Sequence, residues 1–289
     1  MTDTTITWRT LMATTAVLVG DRITAMWLCH QASGCDADEF LAILDDSVSQ
    51  RSAAHIDAMV HRLLAGEPLQ YVMGRWAFRH LDLMVDKRVL IPRPETEQLV
   101  DIVLSYLRDF PEDHVAVVAD LGTGSGAIGL SLLHELKLGS LTAYLADASV
   151  DALDVARANV SGAGRSGINA VVVHGNWYEA LPNQLHQTFD VIVSNPPYIA
   201  DNDPEVADNV LQWEPGDALF AGADGLDAVR HIVAGARDWL KPGGLLAIEI
   251  GYKQGDAVLQ LLRAAGLTEA QVIPDLSGRD RFVRAIAPN

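Results

Sequence analysis

The spacing of apolar residues changes character along the chain. In the first part, Trp8, Leu11, Met12, Thr15, Leu18 and Val19 fall at helical spacing, and so do Ile56, Met59, Val60, Leu63 and Leu64, with Gly66 placed to end the second helix. These stripes predict the core of a small helical bundle over residues 1–66. The next stretch, "LQYVMGRWAFRHLDLMVDKRVLIP", is rich in aromatic and β-branched residues with short polar breaks, which predicts a β-hairpin linker over residues 67–92. "RPETE" then opens a helix running through Leu99, Val103 and Leu107.

From Val115 onward, strand and helix patterns alternate. "VAVVAD", "LTAYLAD", "NAVVVH", "FDVIVS" and "LLAIEI" read as apolar strands, and "DALDVARANV" and "GLDAVRHIVAGARDWL" carry helical periodicity. That alternation predicts an α/β domain over residues 93–289, with a mainly parallel sheet covered by helices on both faces. "EAQVIP" and "RFVRAI", joined by "DLSGRD", end it as an antiparallel pair.

Composition narrows the chemistry. Two domains suit a chain of 289 residues. A formal charge of −17, from 21 basic and 38 acidic residues, disfavours a nucleic-acid substrate, because affinity for phosphate backbones comes largely from Lys and Arg. Without a basic N-terminal region followed by an apolar stretch, and without an apolar run approaching the ~20 residues that span a bilayer, the expected location is the cytoplasm, with no membrane partner. Cys29 and Cys35 have no metal-ligand spacing, and no metal site is expected. The nine histidines are scattered singly, and neither a G-x-S-x-G elbow nor an H-E-x-x-H helix occurs.

In a sheet of this kind ligands bind outside the carboxyl ends of the strands. The first strand exits into "DLGTGSGAIG", where Gly122, Gly124 and Gly126 permit tight turning and close backbone approach just before a helix. Gly124, Gly126 and Gly129 also spell the dinucleotide fingerprint, and Asp147 closes the next strand where a ribose-binding carboxylate belongs. On the loop alone a dinucleotide-binding oxidoreductase fits as well as any other reading.

A second corner, "SNPPYIA" at residues 194–200, follows the strand "FDVIVS". Pro196 and Pro197 have restricted φ and no amide proton, so donors are missing and acceptors dominate. The Asn195 side-chain oxygen and the Pro196 carbonyl are suited to converge on a group carrying two N–H protons, with the Tyr198 ring as a wall for a flat substrate. That describes a primary amide or an aromatic amine.

Glycine loop, acidic residue and Asn-Pro-Pro-Tyr corner, in this order, resemble the methyltransferases that use S-adenosylmethionine and act on nitrogen. Through "EPLQYVMG", "VLIPRPETEQLV", "SNPPYI", "WEPGDALFAGADGL", "LKPGGLLAIEIG" and "DLSGRDRF", the chain resembles the release-factor glutamine methyltransferases of the HemK/PrmC family over nearly its whole length. The tetrapeptide NPPY alone is shared with adenine and guanine amino-methyltransferases, which stand as the alternative. "IPRPETE" together with "EPGDAL" is more specific.

The resemblance implies a Rossmann-like methyltransferase fold, S-adenosylmethionine as cofactor, and as substrate the amide nitrogen of the glutamine in the Gly-Gly-Gln motif of peptide chain release factors. It implies that the helical domain helps dock the factor. It places the methionine part of the cofactor against Gly122, Thr123, Gly124, Ser125 and Gly126, the ribose on Asp147, and the adenine near Asn176 and Trp177. Relatives usually carry Asp at the position of Asn176, whose oxygen still accepts a hydrogen bond but without the charge. Asn195 borders both ligands; Asn195, Pro196, Pro197 and Tyr198 hold the substrate amide. Arg93 and Glu95 are candidates for the substrate entrance.

Overall fold

The computed structural model describes residues 6–201 and 203–289, and the chain divides into two units, Met1–Arg75 and Trp76–Asn289. The first unit comprises α1 (Trp8–Val19), α2 (Arg22–Ser33), α3 (Ala37–Ala42), α4 (Gln50–Leu64) and α5 (Leu69–Met73). Thr7, Asp21, Asp36 and Ser49 each cap one of the first four by accepting the N–H three residues on, satisfying a donor that has no intrahelical partner. Trp8, Leu28, Phe40, Ile56, Met59, Val60 and Val72 form its core. Leu18 and Leu64 were expected in that core. Both lie in the last turn of their helices and are exposed instead.

The expected hairpin begins later than its composition suggested. "LQYVM" is a short helix, α5, because Pro68 sits at its N-cap and Gly74, at φ 71°, closes it in the left-handed region. Its Val72 packs in the helical core, and the Arg62 guanidinium donates to the Tyr71 and Val72 carbonyls. The boundary therefore follows α5 instead of preceding it.

The hairpin proper, β1 (Arg75–Phe78) and β2 (Leu81–Met84), is built into the second unit and is no free linker. Phe78 and Leu83 are buried with Leu99 and Val103 of α6 (Thr96–Leu107). At the turn, the Arg79 amide donates to Glu97 Oε1 at 3.0 Å, and its guanidinium pairs with Glu135 and Asp101.

The rest of the second unit is wound from β3 (Ala116–Leu121), α7 (Ala127–Glu135), β4 (Leu141–Asp147), α8 (Val150–Gly162), β5 (Ala170–His174), β6 (Phe189–Ser194), α9 (Asp208–Trp213), α10 (Asp227–Trp239), β7 (Leu240–Glu249), α11 (Gly255–Ala264), β8 (Thr268–Pro274) and β9 (Asp280–Ile286). The strand order is β5-β4-β3-β6-β7-β9-β8. Pairings from β5 to β7 are parallel, and those of β9 with β7 and β8 are antiparallel, as the strand patterns predicted. Alternate residues feed two cores. Ala119, Leu121, Ile192, Leu246 and Ile248 pack under α10 and α11, and Val118, Val191, Val193, Leu245 and Ala247 under α6 and α7. The order reverses beside β3, so the carboxyl ends of β3, β4 and β6 open on one cleft. Among the described residues no helix is long and apolar enough to cross a membrane.

Candidate active site

A cavity of about 480 Å³ occupies that cleft. Its lining includes Gly122 to Ser125 of the glycine loop, Asp147, Asn176, Trp177, Asn195 and Pro197, with Thr96 at the start of α6.

The glycine loop is held from beneath. Gly122, Gly124 and Gly126 have φ of 71°, 55° and 85°, in the left-handed region that side chains other than glycine rarely enter. The Gly122 and Thr123 amides donate to the Ala146 carbonyl, each at 2.9 Å, and the Gly124 amide donates to Asp147 Oδ2 at 2.9 Å. Thr123 Oγ1 donates to Asp120 Oδ2 at 2.6 Å, and Asn159 Nδ2 donates to the Ser125 carbonyl at 2.8 Å. Asn159 also exchanges hydrogen bonds with the Met84 backbone, so α8 ties the hairpin to the loop. The third fingerprint glycine packs tightly, since a Cβ on Gly129 would lie 2.2 Å from Leu145 Cδ2, and its amide donates to Asp120 Oδ2 at 3.0 Å.

Two carboxyls lie around the loop. Asp120 is fully buried, which pushes its pKa up to about 6. Asp147, at the mouth, accepts from Ser149 N through Oδ1 and from Gly124 N through Oδ2; burial raises its pKa against those backbone donors. Besides lining the cavity it therefore shapes the loop. Trp177 backs Gly122, with its ring 3.4 Å from where a Cβ would stand.

The "SNPPYIA" corner is braced on every side. After Tyr198 the backbone pairs with "LFAG": Ile199 N donates to the Leu219 carbonyl at 3.0 Å, and Ala221 N to the Ile199 carbonyl at 2.9 Å. Gln254 Nε2 donates to the Tyr198 and Gly225 carbonyls. Gly225, at φ 72°, passes so close that a Cβ would stand 2.3 Å from the Tyr198 oxygen. Asn195 Nδ2 donates to Thr96 Oγ1 at 3.2 Å, and Thr96 Oγ1 donates to Glu249 Oε2 at 2.7 Å. This leaves the Asn195 Oδ1 directed away from Thr96. Among the described residues no donor of the chain reaches Oδ1 or the Pro196 carbonyl. A corner with two free acceptors and no competing amide proton can hold an NH₂ group.

Not every candidate faces the cavity. Pro196 is buried, and the Tyr198 hydroxyl turns to Glu249 Oε1 at 3.3 Å instead of the cleft. Arg93 also lies off the lining, its Nη2 donating to Glu214 Oε1 at 2.6 Å, and Glu95 is exposed at the head of α6. Glu214 further accepts the Ile91 amide through Oε2 at 3.1 Å. Sequence reasoning quoted the segments containing Thr96, Asn159, Glu214 and Glu249 without assigning them work. Polarity inside otherwise apolar or motif-rich stretches was the signal available for them.

Residues 101–214 match the family model described as methyltransferase small domain, and residues 18–74 match PrmC N-terminal domain. The chain is 43% identical over 271 residues to the release factor glutamine methyltransferase of Xylella fastidiosa, covering 93% of this chain and 94% of that one. To the corresponding enzyme of Burkholderia pseudomallei it is 39% identical over 266 residues, covering 90% of each. A methyltransferase from Pyrococcus furiosus, 17% identical, superposes with a TM-score of 0.51 over 79% of this chain and 98% of that one, a likeness of fold.

Proposed function

Since the chain belongs to the release factor glutamine methyltransferases, we propose that it transfers a methyl group from S-adenosylmethionine to the side-chain amide nitrogen of the glutamine in the Gly-Gly-Gln motif of a peptide chain release factor. The observation that carries this reading is Asn195 on the lining of the glycine-loop cavity, its Oδ1 free of any donor among the described residues, next to a Pro196 carbonyl that no amide of those residues reaches.

The residues present suit the cofactor. Gly124 has nothing within 4 Å of a notional Cβ, so its backbone is open to a ligand, and Asp147 stands at the end of β4 with lone pairs left for a ribose diol. Asn176 and Trp177 offer a polar and an aromatic side to an adenine ring. When bound, the cofactor supplies a methyl group on a positively charged sulfur. The chain itself supplies orientation.

An amide nitrogen is a poor nucleophile because its lone pair is delocalised into the carbonyl. Asn195 Oδ1 and the Pro196 carbonyl each accept one N–H of the glutamine and fix the nitrogen, so that attack becomes effectively unimolecular. Positive charge builds on that nitrogen, and two oriented acceptors stabilise it more in the transition state than before. The proton is then lost from a strongly acidic N-alkylated amide, which needs no dedicated base. The helical unit would serve to dock the factor, with Val17 and Ile23, 83% and 57% exposed, as apolar surface.

The test is labelled-methyl transfer from S-adenosylmethionine to intact release factor, to its Gln→Ala variant and to DNA. Label on the first alone is expected. Label on DNA would transfer the site to the nucleobase enzymes, which share the corner.

A further inference from the structure

Glu249 ends β7, paired with Phe282 of β9, and is 1% exposed. Nothing in the transfer just described calls for a carboxyl at this place, and burying one is costly unless its charge is paired. Its two oxygens are used. Oε2 accepts the Thr96 hydroxyl at 2.7 Å and Oε1 the Tyr198 hydroxyl at 3.3 Å.

A carboxylate can only accept, so the Thr96 hydroxyl must spend its proton on Glu249 and has lone pairs alone for Asn195. Asn195 then has to present its NH₂ to Thr96, and its oxygen is left for the cleft. With the side-chain amide turned over, an NH₂ would face the NH₂ of the incoming glutamine. The acceptor would become a repelling donor.

Resting on the functional reading above, we propose that Glu249 is a positioning residue for methyl transfer: through Thr96 it holds the Asn195 amide in the one orientation that accepts from substrate, and through the Tyr198 hydroxyl it anchors the corner. The charges around it fit the role. Arg281 of β9 favours the ionised form, and is itself placed by Asp275 at 3.6 Å, so the "DLSGRDRF" turn acts on the catalytic corner from the far end of the chain. Glu95, ahead of α6, opposes ionisation, and burial opposes it most, raising Glu249 to about 7. Ionised and neutral forms therefore exchange near neutrality.

The experiment is single-turnover methyl transfer to intact release factor at saturating S-adenosylmethionine, across about pH 5.5 to 8.5 around that raised value, with cofactor affinity measured in parallel by calorimetry. The wild-type rate should rise with pH as Glu249 ionises. T96V should be about 10- to 100-fold slower, the cost of leaving one buried hydrogen-bonding group unpaired, with cofactor affinity unchanged. T96S should recover most of that loss. E249Q keeps an acceptor for Thr96 but has no titrating proton, so its rate should lose the rise with pH. A T96V enzyme at wild-type rate, an E249Q enzyme with the wild-type pH profile, or losses matched by equal losses of cofactor affinity would overturn the proposal alone. A wild-type enzyme that leaves the release factor unlabelled would remove the functional reading and this proposal together.

Discussion

Glu214 holds Arg93 and the Ile91 amide with its two oxygens, at 2.6 and 3.1 Å, and so joins "IPRPE" to "EPGDAL" across the chain. Its side chain is 2% exposed, whereas that of Arg93 is 33% exposed. The two segments bracket the cavity, since Pro92 and Thr96 line it from one and Pro215, Asp217 and Ala218 from the other.

E214A leaves a buried amide and a half-buried guanidinium unpaired, and should destabilise the protein by about 1–3 kcal/mol. E214Q retains the acceptor for Ile91 and should lose less. Urea midpoints decide this, and an E214A midpoint equal to wild type would mean that the clasp contributes nothing.

D147A should weaken S-adenosylmethionine binding by about 10- to 100-fold, the worth of charge-assisted hydrogen bonds at 1.4 kcal/mol per tenfold. Because Asp147 also receives the Gly124 amide, the loop should become more protease-sensitive as well. Calorimetric titration with unchanged affinity would refute the ribose assignment.

N195A should slow methyl transfer by about 10²–10³, the range for one preorganised contact to the developing charge. N195D restores an acceptor but cannot donate to Thr96, and it adds a second negative charge near Glu249. Its partial recovery should appear only where one of the two carboxyls holds a proton. An N195A enzyme at wild-type single-turnover rate would reduce the corner to an ordinary turn.

The buried carboxyls should also mark the stability curve. Glu249 and Asp120 have folded pKa values near 7 and 6, above their ordinary 4.5 and 3.8, so the folded state binds more protons between those limits. Their contribution is full below the ordinary values and lost as pH rises through the folded ones. Asp86 and Glu135, held low by Arg88 and Arg79, act in the opposite sense. The clean readout is wild-type stability measured against E249Q, which should fall by about 2–3 kcal/mol from pH 5 to pH 8 in denaturant melts. A difference that does not vary with pH would contradict the burial of an ionisable Glu249.

Removing residues 1–75 should leave a unit that folds and binds cofactor, because both sheet cores and the whole cavity lining lie beyond Trp76. Its transfer to intact release factor should suffer. Removing only 1–66 should give a less soluble protein, since α5 would expose Val72, which is buried in the helical core. Full-length rates on intact factor from the shorter chain would refute a docking role for the helices.

The apolar runs and helical patterns carried the sheet, its parallel order and its antiparallel end, because the central strands β3 and β6 are buried on both faces and α6, α10 and α11 each bury one side. They failed at "LQYVM", where the bracketing Pro68 and Gly74 outweighed the β-rich composition. In the cavity, the residues named from motifs are those that end strands and turn loops: Gly122, Gly124, Asp147 and Asn195. Thr96, Asn159, Glu214 and Glu249 were unreadable as partners because each acts through hydrogen bonds to residues at least 34 positions away, and linear spacing carries no trace of such pairing.

The two free acceptors of the corner bear on what happens after the methyl group has moved. Under the proposed reading a primary amide would bring two protons to Asn195 Oδ1 and the Pro196 carbonyl, and its methylated product one. In the proposed transfer one acceptor would then be left without its proton donor, a loss of about 1–3 kcal/mol that would loosen the product and disfavour its return for a second methyl. The same pair of oxygens proposed to hold the glutamine would therefore also count the transfer and stop it at one.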